Sequence, residues 1–320
     1  MTNWDLSKFK PNLAASPPDE VPYDWRTFPF NNDGLWLASP KIDGIRIVCH
    51  PTLGPVSRSL KPIPNAFIWQ ILQHSALKNL DGEVVLDWND PRTFNRTQSA
   101  VMSRDGCPSF EYRVFDNIEA ATTCGFGVRL NDAQHVVDGL LDIEGLSAYV
   151  KMVPHVEIRS YEQFEAYEAE QLALGFEGVM LRHKAARYKF GRSTWREGGL
   201  IKVKRFEDAE GVIVDWEPLE RNENEATLDN LGLQKRSSHK AGKVADDTRV
   251  GNFILRVLNG NFAGVLVSCG SGLTNGERLE YRTQVESWIK RGQLVTFKYQ
   301  AHGSKDAPRL PIFKGLRANE

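Results

Sequence analysis

Strand-like runs of apolar residues recur through the first part of the chain. Residues 110–116 alternate apolar and polar side chains, which is the pattern of a half-buried strand. The run from Trp36 to His50 is interrupted at Asp43-Gly44, a pair that favours a turn, and this predicts a broken strand. Further strands are predicted at residues 84–86, 177–181 and 200–204.

Helix signals fall between these strands. Asn65 is a favourable helix cap, and apolar residues at helical spacing follow it from Phe67 to Leu72. Ser160 with Gln163 forms a capping-box pattern, which predicts a helix that ends at Gly175. Residues 117–150 give mixed signals and predict no single element.

The pattern changes after Arg205. Short apolar runs there are separated by glycine or polar loops, which favours a small β-barrel and a domain boundary near residues 205–209. Thr274 with Glu277 predicts a capped helix that extends to about Lys290. Residues 219–249 form a polar, charged insertion that is longer than barrel loops usually are, and such loops are generally functional or disordered. The barrel strands are predicted at residues 211–216, 253–258, 264–268 and 293–299.

The length of 320 residues exceeds that of a usual single domain, so we expect two domains, at residues 1–206 and 207–320. Residues 1–35 are rich in Pro, Asn and Asp and carry isolated aromatic residues, so they are expected to form an arm that lies on the first domain. Hydrophobic residues make up 41% of the chain and charged residues 25%, which excludes the disordered and fibrous classes.

No apolar stretch approaches the roughly 20 residues that a membrane helix needs, and the polar start resembles no signal peptide. We therefore expect a cytoplasmic protein, in a bacterial or phage-infected cell, with no membrane partner. The four cysteines are widely spaced and form no C-x-x-C pair, which argues against a zinc ribbon and a disulfide framework.

Positive charge is concentrated in one segment although the net charge is only -1. Residues 182–205 contain nine Lys or Arg residues and a single acid, Glu197. This segment can form a strongly positive face that suits nucleic acid, and the alternative is an ordinary solvated basic surface.

Lys41 is the candidate nucleophile. A lysine attacks only after it loses its proton, which requires burial or neighbouring positive charge to lower its pKa. Lys202 and Lys204 lie two apart on a predicted strand, so both side chains share one face, where they would lower the pKa of a nearby lysine and bind phosphates. The alternative is an exposed Lys-x-Lys pair on the surface.

Two carboxylates and one aromatic ring lie beside apolar strands. Glu83 and Glu177 can accept a ribose hydroxyl or hold Mg²⁺ against phosphates, and the alternative is a turn acid or a surface ion pair. Phe115 can stack on a base, although a single aromatic residue is more often part of a core. The histidines fall in no recognisable nucleophile motif and the sequence shows no glycine-rich P-loop, so it supports neither a Ser-His-Asp hydrolase nor a Walker-type ATPase.

Taken in order, these residues resemble the motifs of the ATP-dependent DNA ligases, which are covalent nucleotidyltransferases. The motifs are Lys41-x-Asp-Gly-x-Arg46, Ser57-Arg58, Asp81-Gly-Glu83, Phe115-Asp116, Glu177-Gly178 and Lys202-x-Lys204. The resemblance runs from about Trp36 to Arg317. It is nearest to the small phage and bacterial enzymes because of three segments in the C-terminal half, which are Arg236-Ser-Ser-His-Lys240, Gly270-Ser-Gly-Leu-Thr274 and Lys305-Asp-Ala-Pro-Arg-Leu-Pro-Ile-Phe313.

The resemblance implies an α+β fold, in which a nucleotidyltransferase domain of antiparallel sheets and helices is followed by an OB-fold β-barrel. Lys41 would attack the α-phosphate of ATP and form lysyl-AMP, the AMP would pass to the 5'-phosphate of a nick, and the 3'-hydroxyl would displace it. The residues implied in catalysis are Lys41, Arg46, Arg58, Lys202 and Lys204. Nicked double-stranded DNA is the implied partner of a monomeric enzyme.

The resemblance also implies individual roles. Glu83 would accept a ribose hydroxyl, Phe115 would stack on adenine, and Glu83 and Glu177 would hold Mg²⁺, with Mn²⁺ as a substitute. The residues implied at the nucleotide are Ser39, Lys41, Ile42, Arg46, Arg58, Glu83, Phe115, Glu177, Lys202, Lys204, Arg309 and Arg317. The residues implied at DNA are Arg58, Lys61, Arg192, Arg236 and Lys240.

Two features depart from the family pattern. Many relatives end in Arg-x-Asp-Lys, whereas this chain ends Arg317-Ala-Asn-Glu320, and Pro40 lacks the amide donor that other residues would offer. Three alternatives stay open, namely an mRNA-capping guanylyltransferase, an RNA ligase and a non-catalytic DNA-binding protein of ligase shape. The segments from Ser57 to Pro64 and after Lys305 favour a DNA ligase over the first two.

Overall fold

The computed structural model of the chain describes residues 5, 8–17, 35–90, 93–140, 143, 145–228, 234–237, 239–301, 304 and 306–317. The chain separates into two compact units, Met1–Lys204 and Arg205–Glu320. Part of the predicted arm, including Trp25, lies outside the described residues, as do Lys305 and the final residues 318–320. None of the described helices is long and apolar enough to cross a membrane.

The first unit contains strands and helices in mixed order. Its strands are β1 (Trp36–Pro40), β2 (Ile45–His50), β3 (Gly54–Ser57), β4 (Leu80–Val85), β5 (Glu111–Asn117), β6 (Val150–Met152), β7 (Val156–Ile158), β8 (Gly178–His183) and β9 (Leu200–Lys204). Its helices are α1 (Ala66–Leu72), α2 (Phe94–Met102), α3 (Phe126–Gly139), α4 (Leu146–Tyr149) and α5 (Tyr161–Ala173).

Two sheets organise the first unit. One has the strand order β7-β1-β8-β9 and the other has the order β3-β2-β4-β5-β6. All described strand pairs in them are antiparallel except β5 with β6. Because β1 belongs to the first sheet and β2 to the second, the chain passes from one sheet to the other through residues 41–44.

Gly44 makes that passage possible. A Cβ atom on Gly44 would collide with the carbonyl oxygen of Val84 in β4, so only glycine lets the turn approach that strand. The predicted break at Asp43-Gly44 is therefore present, and the motif residues on its two sides lie in different sheets.

Local capping accounts for the helix starts. The Asn65 side chain accepts from the Ile68 amide at 2.9 Å, as predicted. Ser160 accepts from the Gln163 amide at 3.3 Å, but the Gln163 side chain accepts from the Arg159 amide at 2.9 Å, so the reciprocal bond of a true capping box is replaced by one to the preceding residue.

The second unit is dominated by a long antiparallel hairpin. Its strands are β10 (Glu207–Asn222), β11 (Ala226–Leu228), β12 (Gln234–Arg236), β13 (Lys243–Val257), β14 (Leu266–Cys269), β15 (Leu294–Gln300) and β16 (Arg309–Leu316). Its helices are α6 (Asn275–Arg282) and α7 (Val285–Arg291). The main sheet has the order β14-β13-β10-β15-β16, and a parallel bridge joins Ser271 to Ile312 of β16.

The structure differs from two expectations in this unit. The predicted insertion at 219–249 is largely a continuation of β10 and β13, which pair from Leu219 with Asp246 to Asn222 with Lys243, and it carries β11 and β12 beyond them. The single predicted helix up to about Lys290 is two helices, α6 and α7. The Thr274 and Glu277 capping box that opens α6 is present as predicted.

Candidate active site

Lys41 follows the last residue of β1, where the chain leaves the first sheet. Its amide donates to the Gly178 carbonyl at 2.8 Å and its carbonyl accepts from the Glu177 amide at 3.3 Å, so β8 fixes its backbone. Neighbouring amides of a strand point to opposite sides, and the nitrogen of Pro40 therefore points away from β8. The pairing of β1 with β7 on the other side reaches only to Ala38, so proline at position 40 interrupts no ladder bond.

Lys41 lines a cavity of about 220 Å³ in the first unit. The cavity collects residues from both sheets, from the turn between them and from the N-terminal segment. Eight of the residues predicted at the nucleotide line it, and they are Ser39, Lys41, Ile42, Arg46, Arg58, Glu83, Phe115 and Lys202.

Glu177 is shared by two lysines. Its carboxylate accepts from the Lys41 ammonium through one oxygen and from the Lys204 ammonium, at 2.7 Å, through the other. The Glu177 side chain is only 3% exposed. Burial alone would raise the pKa of Glu177, but Lys41 and Lys204 outweigh it and lower the pKa to about 2. Glu177 therefore stays ionised and orients the Lys41 amine.

Glu83 has the opposite character. It lies opposite Arg46 in the pairing of β4 with β2, and its carboxylate accepts from the Gly44 amide at 3.2 Å. Burial raises its pKa to about 7, although Lys41, Arg46 and the Gly44 amide act to lower it. At neutral pH this carboxyl is therefore close to half protonated.

Lys202 extends from β9 into the cavity. Burial lowers its pKa, and the positive charges of Lys204, Arg192 and Lys41 lower it further. This is the cluster of cations that the spacing of Lys202 and Lys204 predicts, and it creates a local excess of positive charge that suits phosphate groups.

Arg46 is held by protein groups on several sides. Its Nε and Nη2 atoms donate to the two oxygens of Asp81 at 2.9 and 2.5 Å, which is a bidentate pair. Burial would lower the Arg46 pKa, but Asp81 and Tyr188 raise it above its ordinary value, so Arg46 remains charged. Asp81, which belongs to the same motif as Glu83, thus fixes Arg46 in the cavity wall.

Phe115 lies beside two guanidinium groups. The Cζ atoms of Arg46 and Arg182 are 5.3 and 5.1 Å from the centre of its ring. Both arginines also line the cavity, so the ring forms part of a wall in which aromatic and cationic groups alternate.

Arg182 belongs to the segment that is predicted to form a positive face, but it is buried at 7% exposure. It donates to Asp116, whose oxygens also accept from Arg129 at 2.8 and 3.2 Å. Burial would raise the Asp116 pKa, but Arg129 and Arg182 together lower it. In the sequence, Asp116 is marked only by its position directly after Phe115, and this does not identify Arg129 and Arg182 as its partners.

The N-terminal segment is a second part of the site that sequence reasoning missed. Residues 12–14 line the cavity. The Asn12 carbonyl accepts from Arg46 at 2.5 Å, and its side chain accepts from the Ser193 hydroxyl at 3.1 Å. Backbone bonds join Ala15 to Leu200 and Lys202, so the segment runs along β9.

The remaining predicted residues lie outside this cavity. Lys61 and Arg192 are exposed in the first unit, where Arg192 donates to the Ala14 carbonyl at 3.1 Å. Arg236 and Lys240 are exposed in the second unit. Arg309 begins β16, and Arg317 follows it and pairs with Glu210. Glu177 contacts both Lys41 and Lys204, and neither Glu177 nor Lys204 lines the cavity.

The residues present fit the metal that the family motifs imply. Among the described residues, no group of three or more His, Cys, Asp or Glu side chains is arranged to hold a metal ion. Mg²⁺ at phosphate-transfer sites needs only one or two carboxylates together with the substrate phosphates. Glu83 lines the cavity and can supply such a carboxylate, while Glu177 lies just outside it beside Lys41.

Comparison with protein families identifies the chain. The family model described as "ATP dependent DNA ligase domain" matches residues 28–204, and the one described as "DNA ligase OB-like domain" matches residues 241–317. The chain belongs to the ATP-dependent DNA ligases. This confirms the resemblance and the predicted α+β fold with its OB-type second part.

Individual relatives agree with the family. A probable DNA ligase of Sorangium cellulosum is 29% identical over 310 residues, which is 87% of this chain but 51% of that protein, so the chain spans about half its length. A Chlorella virus DNA ligase-adenylate structure is 31% identical, with a TM-score of 0.52 over 98% of this chain and 99% of that one. A structure of the Lig E DNA ligases, 23% identical, has a TM-score of 0.62 over 96% and 99% of the two chains.

Proposed function

We propose that this chain is an ATP-dependent DNA ligase that seals nicks in duplex DNA through a lysyl-AMP intermediate. The observation that supports it most is the Lys41 amine, which lines the cavity beside Phe115 and Lys202 and is oriented by Glu177. A nucleophilic lysine, a ring for a base and cations for phosphates are the groups that nucleotidyl transfer requires.

In the first step Lys41 Nζ attacks the α-phosphorus of ATP, a P–N bond forms, and the bond to pyrophosphate breaks. Phosphoryl transfer depends mainly on in-line positioning and neutralisation of charge. Lys202, on the cavity wall, supplies positive charge for the phosphates, and Phe115 supplies a face for adenine.

Lys41 must lose a proton before it attacks. Glu177, with its pKa lowered to about 2, does not retain that proton, and its role is to hold the amine in place. Mg²⁺, bound by Glu83 or Glu177 together with the ATP phosphates, would supply further neutralisation of the negative charge.

In the later steps an oxygen of the 5'-phosphate attacks the AMP phosphorus and releases Lys41. The 3'-hydroxyl then attacks the 5'-phosphate, the backbone bond forms, and AMP leaves. Basic side chains that contact phosphates would position the DNA. In the first unit these are Arg58, Lys61 and Arg192, and in the second they are Arg236 and Lys240.

We also propose that the nucleotidyltransferase domain comprises residues 1–206 and that the OB domain comprises residues 207–320. Arg309 and Arg317 of the OB domain assist the first step. The enzyme acts as a monomer. A reaction that consumes ATP and DNA is consistent with a cytoplasmic enzyme.

The test is adduct formation by the full chain with labelled ATP and Mg²⁺, followed by sealing of a nicked duplex. We expect an acid-labile gain of one AMP. Lys41→Arg keeps the positive charge beside Glu177 but abolishes the adduct, whereas Lys78→Arg, at an exposed position outside the cavity, retains it. An adduct that persists in Lys41→Arg contradicts the proposal. Labelled GTP and duplexes with RNA strands test for capping and RNA-ligase activity.

A further inference from the structure

Arg46 has little freedom within the cavity wall. A guanidinium has five N–H donors, and in the described part of the chain four of those of Arg46 are engaged. Two donate to Asp81, one to the Asn12 carbonyl and one to the Tyr188 hydroxyl at 3.1 Å. One Nη1 N–H is left to donate to a ligand, so any hydrogen bond from Arg46 to a ligand depends on the direction of this single donor.

The Tyr188 hydroxyl connects the groups that hold Arg46. It donates to Asp81 at 2.7 Å, and it accepts both from Arg46 Nη2 and from the backbone amide of Asn12. A hydroxyl offers one donor and two acceptor positions, and all three are used. Burial, with Asp81 beside it, raises the pKa of Tyr188 well above its ordinary value, so the hydroxyl keeps the proton that it donates.

The ring of Tyr188 is fixed by its surroundings. The residue is 2% exposed, and its ring stacks on that of Phe9, with centres 6.0 Å apart. Its amide donates to the Ala121 carbonyl at 2.9 Å. The hydroxyl therefore has a defined place, which it shares with Arg46, Asp81 and the N-terminal segment.

We propose that Tyr188 is a positioning residue for nucleotidyl transfer, whose hydroxyl orients Arg46 so that its remaining N–H points into the cavity. This inference rests on the proposed function of the cavity. Without the hydroxyl, Asp81 and the Asn12 carbonyl still accept from Arg46, but the Nη2 N–H and the Asn12 amide each lose an acceptor, so the guanidinium is held less firmly.

The test compares Tyr188→Phe with Tyr112→Phe in the full chain. Tyr112 is also fully buried in the first unit, and its hydroxyl lies 3.0 Å from the carbonyl oxygens of Ile47 and Leu80, while none of its described hydrogen bonds involves Arg46 or Asp81. Tyr188→Phe should slow lysyl-AMP formation about tenfold at subsaturating ATP, since a bond to a charged group is lost. Tyr112→Phe should lower Tm by a similar amount without slowing lysyl-AMP formation.

The second measurement places Tyr188→Phe in an Arg46→Lys background. If Tyr188 acts through Arg46, the effect on adduct formation should largely disappear there, as a double-mutant cycle reveals. Equal slowing by Tyr188→Phe and Tyr112→Phe, or an unchanged effect in the Arg46→Lys background, would overturn the inference. Failure of the unmodified chain to form any adduct would instead contradict the proposed function.

Discussion

Lys41 donates to one oxygen of Glu177 while Lys204 donates to the other at 2.7 Å. The nucleophile and the second cation thus share one buried carboxylate. Since the carboxylate is 3% exposed, these two ion pairs compensate a charge that is largely removed from water.

Glu177→Gln should reduce lysyl-AMP formation by at least about tenfold, because a neutral amide holds the Lys41 ammonium less firmly and leaves two adjacent cations uncompensated. The rate of adduct formation at saturating ATP measures this. Glu170→Gln, on the exposed side of α5, is the matched control and should retain the normal rate. Normal adduct formation by Glu177→Gln would remove this carboxylate from the mechanism.

Glu83 makes stability depend on pH. Its pKa is about 7 in the folded chain, above the ordinary value of 4.5. Between these values the folded state binds more protons than the unfolded state, so the contribution of Glu83 to stability falls as pH rises. Glu83→Gln cannot ionise, and its free energy of unfolding relative to the unmodified chain should increase from pH 5 to pH 8. Denaturation at both pH values, with Glu165→Gln as an exposed control, measures this. A constant difference would contradict it.

Asp116→Asn should lower stability by about 3 to 5 kcal/mol, because breaking a buried ion pair leaves charges without compensation. Asp116 is 0% exposed and pairs with both Arg129 and Arg182. Chemical denaturation is the measurement. Asp138→Asn, which removes an exposed acid that accepts from Gln134, should change stability little. Similar losses in the two variants would mean that the buried network contributes little.

Local signals predicted much of the fold. The Asn65 cap, the Thr274 capping box and the break at Asp43-Gly44 depend on residues close in sequence, and all three are present. The end of α6 did not follow from such signals. Its C-cap Thr283 precedes Gln284, which caps α7, and the apolar spacing continues through both residues without marking the break.

The supporting part of the site was not predictable in the same way. Motif order identified the residues around Lys41, because each of them belongs to a short pattern. The sequence places Arg182 in a basic segment but does not predict its pairing with Asp116, because Asp116 lies 66 positions away and no local pattern joins them. The same is true of Asn12 and Arg46, which only the packing of the N-terminal segment brings together.

The final prediction separates the steps of the reaction. In Lys204→Ala, Glu177 loses one of the two ammonium groups that pair with it, and a cation is removed from beside Lys41. Lysyl-AMP formation should fall by at least about tenfold. Arg58 lines the cavity at an exposed position, so Arg58→Ala should leave adduct formation nearly intact and slow the later steps.

Adduct formation with ATP measures the first step, and sealing of a pre-adenylated nick measures the last step without it. Relative to the unmodified chain, Lys204→Ala should lose more of its rate of adduct formation than of its rate of sealing a pre-adenylated nick. Arg58→Ala should lose more of the sealing rate than of the rate of adduct formation. Equal loss of adduct formation in both variants would mean that Arg58 serves the ATP phosphates as directly as the Lys204–Glu177 pair serves Lys41.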